Sequence, residues 1–328
     1  MRKYLLSTSA LAGAALLSSA AVADVSISGS FEWDYASRDS NLTTNDGNLM
    51  GHDQEVHMNF TNKTDSGLTI SATNQYKSST GDMDDTSVSI SGGFGTLTLG
   101  QTDGASDKYG MNALGLTAEE ETGTLMTTGT NNTTASISTS TAGLDGNTNK
   151  ISYHIPAVGG LTAGLSVTAG GISGDDDTTA VGFNYAVDAG GAAVTVGYSS
   201  SSQETTTGTD IDGTSMGVKI VMNGISIMAT NGSYEASDED RSTNAAGVSY
   251  TLANGLTLAY ATVKSEDDLD VGEEYTANHY EASYAIASGL TAVLNVSDFD
   301  YEVTAGNHEV TPVDQNGTIT SLTLKASF

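Results

Sequence analysis

Val25-Ser26-Ile27-Ser28-Gly29-Ser30-Phe31-Glu32-Trp33-Asp34-Tyr35 decides the fold. Along an extended chain Val25, Ile27, Phe31, Trp33 and Tyr35 fall on one side. Ser26, Ser28, Ser30, Glu32 and Asp34 fall on the other. Neighbouring strand side chains point to opposite faces, so a period of two describes a strand with one apolar and one polar face. The pattern returns at Val181, Phe183, Tyr185 and Val187, and at Met216, Val218, Ile220 and Met222. It returns again at Leu256, Leu258 and Tyr260, at Tyr280, Ala282, Tyr284 and Ile286, and at Leu290, Ala292, Leu294 and Val296. Leu322, Leu324, Ala326 and Phe328 close the chain in the same way, and no sustained helical period competes.

Between these runs, two kinds of connection alternate. Short ones carry tight-turn residues: Asp65-Ser66-Gly67, Gly93-Phe94-Gly95, Pro156 to Gly160, Asp188 to Gly191, Asn223-Gly224, Asn254-Gly255 and Ser288-Gly289. Long, polar, acidic ones run from Ser37 to Asp53, Ser78 to Asp85, Asp103 to Asn149, Gly171 to Asp177, Ser200 to Asp212, Glu235 to Arg241, Ser265 to Tyr275 and Phe299 to Asn316. Seven short turns alternating with eight long loops predict about 16 strands. Short turns at one end, long loops at the other and strands of roughly 9 to 11 residues describe an all-β, antiparallel up-and-down barrel that crosses a membrane. Tyr76, Tyr153, Tyr198, Tyr234 and Tyr260 are expected on its apolar face near strand ends, where they would sit at the lipid–water interface. A soluble β-protein, adhesive or calcium-binding, shows similar alternation and stays open on periodicity alone.

Residues 1–23 read as a secretory signal. Arg2 and Lys3 precede the apolar run Leu5 to Leu17, and Ala21-Val22-Ala23 is a small-residue cleavage site. The barrel domain is then 24–328. The chain holds 11 basic and 40 acidic residues, and the signal carries away two cations and no acid. A nucleic-acid partner is excluded, because phosphate binding needs a basic surface. The chain has no Cys, so stability must come from strand pairing and packing. Only 2 Pro are present, which suits a chain that is mostly strand.

Ser321-Leu322-Thr323-Leu324-Lys325-Ala326-Ser327-Phe328 resembles the C-terminal assembly signal of outer-membrane proteins, with Phe328 as its terminal aromatic. Ala23-Asp24-Val25-Ser26-Ile27-Ser28-Gly29 resembles the junction of cleavage site and first strand in alphaproteobacterial-type general porins. Gly92-Gly93-Phe94-Gly95-Thr96-Leu97-Thr98-Leu99-Gly100-Gln101 resembles the turn and fifth strand that precede their constriction loop. The resemblance implies a Gram-negative outer-membrane porin: a homotrimer of 16-stranded barrels, inserted by the outer-membrane assembly machinery among lipid and lipopolysaccharide. It also implies that the third loop folds into the lumen. The longest connection, 103–149, stands where that loop belongs, and a stretch of this length inside a compact domain is usually functional. The implied activity is passive diffusion of small hydrophilic solutes and ions, with no enzyme chemistry. A substrate-specific channel on the same fold stays open, although Trp33 as the single Trp speaks against a sugar-binding aromatic slide.

Strand parity puts Glu32, Asp34, Glu55, His57, Lys77, Lys150, His154, Lys219, Glu281 and Lys325 on the lumen face. Acidic candidates on the inserted loop are Asp103, Asp107, Glu119, Glu120, Glu121 and Asp145. General porins often set loop carboxylates against an Arg cluster on the wall. Here the exported chain has only Arg38 and Arg241, both expected in loops, so a cation-preferring pore is the expectation. Acidic runs such as Asp175-Asp176-Asp177 could offer oxygen ligands to Ca²⁺, but no EF-hand loop is present, and solvated surface loops are the simpler reading. No cofactor is expected. Neither a Gly-x-Ser-x-Gly elbow nor a His-Glu-x-x-His zinc motif occurs, and the Gly-rich run 92–100 lacks a phosphate-loop Lys.

Overall fold

The computed structural model describes residues 24–41, 46–78, 82–117, 146–168, 177–205, 210–236, 239–267, 273–303 and 313–328. Sixteen strands run in order: β1 (Asp24–Ser40), β2 (Gly47–Lys63), β3 (Thr69–Lys77), β4 (Asp82–Gly92), β5 (Gly95–Thr102), β6 (Thr148–His154), β7 (Leu161–Thr168) and β8 (Asp177–Asp188). They continue as β9 (Ala193–Glu204), β10 (Asp210–Met222), β11 (Ile225–Ala236), β12 (Glu239–Thr251), β13 (Leu256–Asp267), β14 (Glu273–Ala287), β15 (Leu290–Val303) and β16 (Val313–Ser327). Between β5 and β6, the described residues hold a short helix, α1 (Ala105–Tyr109), and a 3₁₀ turn (Ala113–Leu116).

Each strand pairs antiparallel with its sequence neighbours, and β1 pairs with β16 to close the barrel. The seam is finished by the terminal residue. Gly29 N–H donates to the Phe328 carbonyl (2.8 Å), and Phe328 N–H donates to the Gly29 carbonyl (3.0 Å). Closure lets a sheet stand in hydrocarbon, because an open edge would leave N–H and C=O groups unsatisfied where water is absent. All seven expected tight turns lie between strand ends. At Asn223-Gly224 both φ angles are positive, 51° and 79°, as a two-residue hairpin turn requires.

The burial pattern inverts that of a soluble protein. Ser166, Ser199, Ser297 and Asn295 have no solvent exposure, whereas Ile27 is 70% exposed and Leu258 46%. The bare outer wall includes Val181, Phe183, Met216, Ile227, Leu294 and Leu322. An apolar surface of this extent is untenable in water and matches lipid. A soluble sandwich would bury these side chains between stacked sheets, and here a single sheet closes on itself. Val181→Arg should therefore cost about 2–4 kcal/mol as a lipid-facing cation. Lys219→Gln, on the inward face of β10, should cost no more than about 0.5 kcal/mol. Urea unfolding in lipid vesicles measures both, and equal costs would refute the assignment of faces.

The strands outrun their expected ends. β1 reaches Ser40 and β2 begins at Gly47, so much of Ser37 to Asp53 is ladder. The ladder likewise extends into 235–241, 265–275 and 299–316. Arg38 and Arg241, expected in loops, lie on β1 and β12. Tyr234, expected outside, points inward: it is the cross-strand partner of Gly213, whereas Tyr76, Tyr153, Tyr198 and Tyr260 hold outward positions. The interior is also less uniformly polar than expected. Met228, Ala245, Val263, Tyr275, Phe299, Tyr301 and Ile319 form an apolar patch on the inner wall from β11 to β16. Ala113 belongs to it, and Met111, Leu114 and Leu116 pack against it, which shields apolar surface from water.

Candidate pore constriction

After β5, the chain turns inward along the barrel wall. α1 contacts β7, β8 and β9, and the 3₁₀ turn contacts β11, β12 and β13. A helix of five residues cannot satisfy its own terminal amides. Wall hydroxyls do so instead. Ala105 N–H donates to Ser166 Oγ (2.7 Å). Met111 N–H donates to Ser215 Oγ (3.3 Å), and Ser215 Oγ donates back to the Met111 carbonyl (2.9 Å). Ala113 N–H donates to Thr230 Oγ1 (3.2 Å). Asn112 Oδ1 accepts from Leu114 N–H (3.0 Å), and Thr117 Oγ1 donates to the Leu114 carbonyl (2.7 Å), so the 3₁₀ turn is held at both ends.

A side-chain clasp fixes α1. The Tyr109 hydroxyl lies 3.1 Å from His154 Nδ1, and His154 Nε2 lies 2.9 Å from Ser152 Oγ. Burial raises the Tyr109 phenol above its ordinary pKa, so it stays protonated at neutral pH. His154 is thus covered by the inserted segment, and Lys150 is buried too, rather than bared to the lumen. The Lys150 ammonium donates to the Gly146 carbonyl at the foot of the loop. Asp34 and Glu281 also face inward and are buried. Arg38 is buried as well, with its guanidinium carbon 5.1 Å from the Phe299 ring centre. Sequence parity finds the face on which these groups lie and cannot find what covers them.

The wall from β16 to β3 carries a lateral row of charge. Lys325 and Glu32 are cross-strand partners joined at 3.3 Å, and Glu32 is the partner of Asp53 on β2. Lys77 Nζ sits 3.1 Å from Asp53 and 3.6 Å from Glu55, and His57 Nε2 lies 3.3 Å from Glu55. These side chains keep about a quarter to a third of their surface open, so each pair is worth only ~0–1 kcal/mol. Their weight lies in the field they set, not in stability. Glu32, Glu55, His57, Lys77 and Lys325 are brought together as one row, while Lys219 stands apart on β10. Asp53 belongs to the row and was hidden in the expected first loop; its parity with Glu55 was the available signal.

On the loop, Asp103 and Asp107 are exposed, and Gln75 and Asn147 both donate to Asp84 at its foot. Glu119, Glu120, Glu121, Asp145, Asp175 and Asp176 lie outside the described residues. Asp177 opens β8. Among the described residues, no group of acids and His is arranged to hold a metal ion.

The geometry agrees with known proteins. An anion-selective porin from Comamonas acidovorans superposes with a TM-score of 0.65 at 14% identity, covering 94% of this chain and all of that one. The trimer form of OmpT, an outer-membrane protein of Vibrio cholerae, gives 0.67 at 11% identity, over 94% of this chain and all of that one. Salmonella typhi OmpF, solved with daunomycin, gives 0.65 at 13% identity, over 93% and 97%. No curated protein sequence matches. A family model described as Gram-negative porin matches residues 7–318, nearly the whole chain. The chain therefore belongs to the Gram-negative porin family, as a non-enzymatic outer-membrane channel for passive diffusion.

Proposed function

We propose that the channel passes small hydrophilic solutes and prefers cations, with the segment 103–149 narrowing it. The observation that carries this reading is the row on β16 to β3, where Glu32, Asp53 and Glu55 outnumber Lys77 and Lys325. The exposed Asp103 and Asp107 add to the acidic excess, and the whole chain has formal charge −29. Arg38 is buried over Phe299 and faces the carboxylate of Asp46, which offsets its charge. Selectivity in a wide pore follows the charges at its narrowest ring, so cations should be enriched there. The anion selectivity of the Comamonas protein is that protein's own, since 14% identity speaks for the fold alone.

Assembly as a homotrimer is part of the proposal, supported by the trimeric Vibrio cholerae relative. Lipopolysaccharide around the wall and the assembly machinery at Phe328 are its other proposed partners. Purified protein in a planar bilayer tests the channel reading directly. It should give stable ohmic steps, and a KCl gradient should give a reversal potential of the sign set by K⁺. A potential of the opposite sign would overturn the cation preference.

A further inference from the structure

Four glycines on the inner wall lie beneath the inserted segment: Gly182 on β8, Gly197 on β9, Gly217 on β10 and Gly247 on β12. None has a positive φ, so no turn or backbone twist calls for glycine there. Glycine inside a strand weakens it and commonly marks close approach of another backbone. Here that backbone is present. A Cβ built on Gly182 falls 2.7 Å from Tyr109 Cβ and 2.9 Å from the Ala105 carbonyl oxygen. On Gly197 it meets Met111 Sδ at 2.6 Å beside the wall's Asn184 side chain, and on Gly217 it meets Met111 Cβ at 2.9 Å beside the wall's Thr230 Cγ2 at 2.7 Å. On Gly247 it comes within 3.1 Å of the Ala113 carbonyl oxygen and 3.2 Å of Leu116 Cδ1. Gly197 and Gly217 are direct cross-strand partners, so their two missing side chains form one hollow under Met111. The reciprocal hydrogen bonds between Met111 and Ser215 hold the segment down in that hollow.

We infer that Gly182, Gly197, Gly217 and Gly247 are positioning residues whose missing side chains set the distance of the segment from the wall, and with it the width of the open passage. The inference rests on the proposed narrowing role of the segment. The wall cannot yield outward, because each strand is bonded on both sides. Side-chain volume added at these positions must push the segment toward the lumen axis. Gly182 is the strictest position, since the conflict there is with a Cβ and a backbone carbonyl of the segment rather than a flexible side-chain end.

The test is single-channel conductance and solute size cut-off of refolded full-length barrels, each verified by heat-modifiable gel mobility. Gly217→Val and Gly182→Val should lower conductance by about half, since pore width sets flux. Met111→Gly in the Gly217→Val background should restore most of it, the signature of two groups in contact. Gly51→Val, inward on β2 with only Asp34 Oδ2 at 4.0 Å, should leave conductance unchanged. Where a valine variant does not fold, the alanine at the same site should give a smaller fall in the same direction. Replacing 105–145 with a short Gly-Ser linker separates the two levels of the argument. If the linker variant conducts more than wild type but the valine variants match wild type, the seat is refuted and the narrowing role stands. If the linker variant also matches wild type, the narrowing role fails and the seat with it. An equal fall in Gly51→Val would overturn the seat as well.

Discussion

Deleting Ser321–Phe328 should abolish the folded channel, with no heat-modifiable band, no conductance and no accumulation in the outer membrane. The lost residues pair with Ser30 to Ala36 on β1 and with Leu290 to Asn295 on β15, and the terminal residue closes the seam at Gly29. Two edges would then face hydrocarbon, with several backbone groups unsatisfied at a cost of roughly several kcal/mol each. Such a deficit exceeds the net stability of about 5–15 kcal/mol typical of folded proteins. The point variant Phe328→Ala should behave differently. Both closing hydrogen bonds are backbone bonds, and the ring is 72% exposed, so little packing is lost. It should refold in detergent with wild-type gel mobility. A refolding-competent Phe328→Ala that nevertheless fails to reach the outer membrane would assign the ring to recognition by the assembly machinery. Failure to refold in vitro would assign it to the barrel itself.

The barrel was legible in sequence wherever a strand has lipid on one side and water on the other. Val181, Phe183 and Tyr185 alternate because those two solvents impose opposite preferences. Asn223-Gly224 was legible because a two-residue turn demands positive φ twice. The outer ends of the strands were not. Arg38, Asp39 and Ser40 carry polar groups on successive strand positions, and Asp298 and Asp300 put polar groups on the outward face while Phe299 and Tyr301 turn inward, so the apolar-out alternation fades or inverts while strand pairing continues. Parity put Glu32, Asp34, Lys150 and His154 on one face of their strands but could not separate open groups from covered ones. That distinction depends on contacts such as Met111 to Ser215 and Ala113 to Thr230, which span 104 and 117 residues. No local pattern encodes such contacts. The weak signal that did exist was glycine in strand interiors with no turn to explain it.

Asp53→Lys combined with Glu55→Lys should invert the sign of the reversal potential. In the wild-type row three carboxylates, Glu32, Asp53 and Glu55, stand beside the ammoniums of Lys77 and Lys325. The double variant leaves one carboxylate among four ammoniums, all on four adjacent strands. Two unit charges about 4 Å apart in water interact by ~1 kcal/mol, so each reversed group shifts the local cost of a passing ion by up to about twice that. A change of ~1.4 kcal/mol is tenfold in an equilibrium, which is enough to exchange the favoured ion. Screening sets the conditions. With a Debye length of about 10 Å at 0.1 M and about 3 Å at 1 M, the inversion should be plain at low salt and shrink at high salt. The neutral pair Asp53→Asn and Glu55→Gln should fall between wild type and the lysine variant. Asp298→Lys with Asp300→Lys alters charge by the same amount on the exposed outer face, and should leave the potential almost unmoved. If that outer-face variant shifted the potential as much as the inner one, selectivity would follow the net charge of the molecule, and the row on β16 to β3 would lose its role.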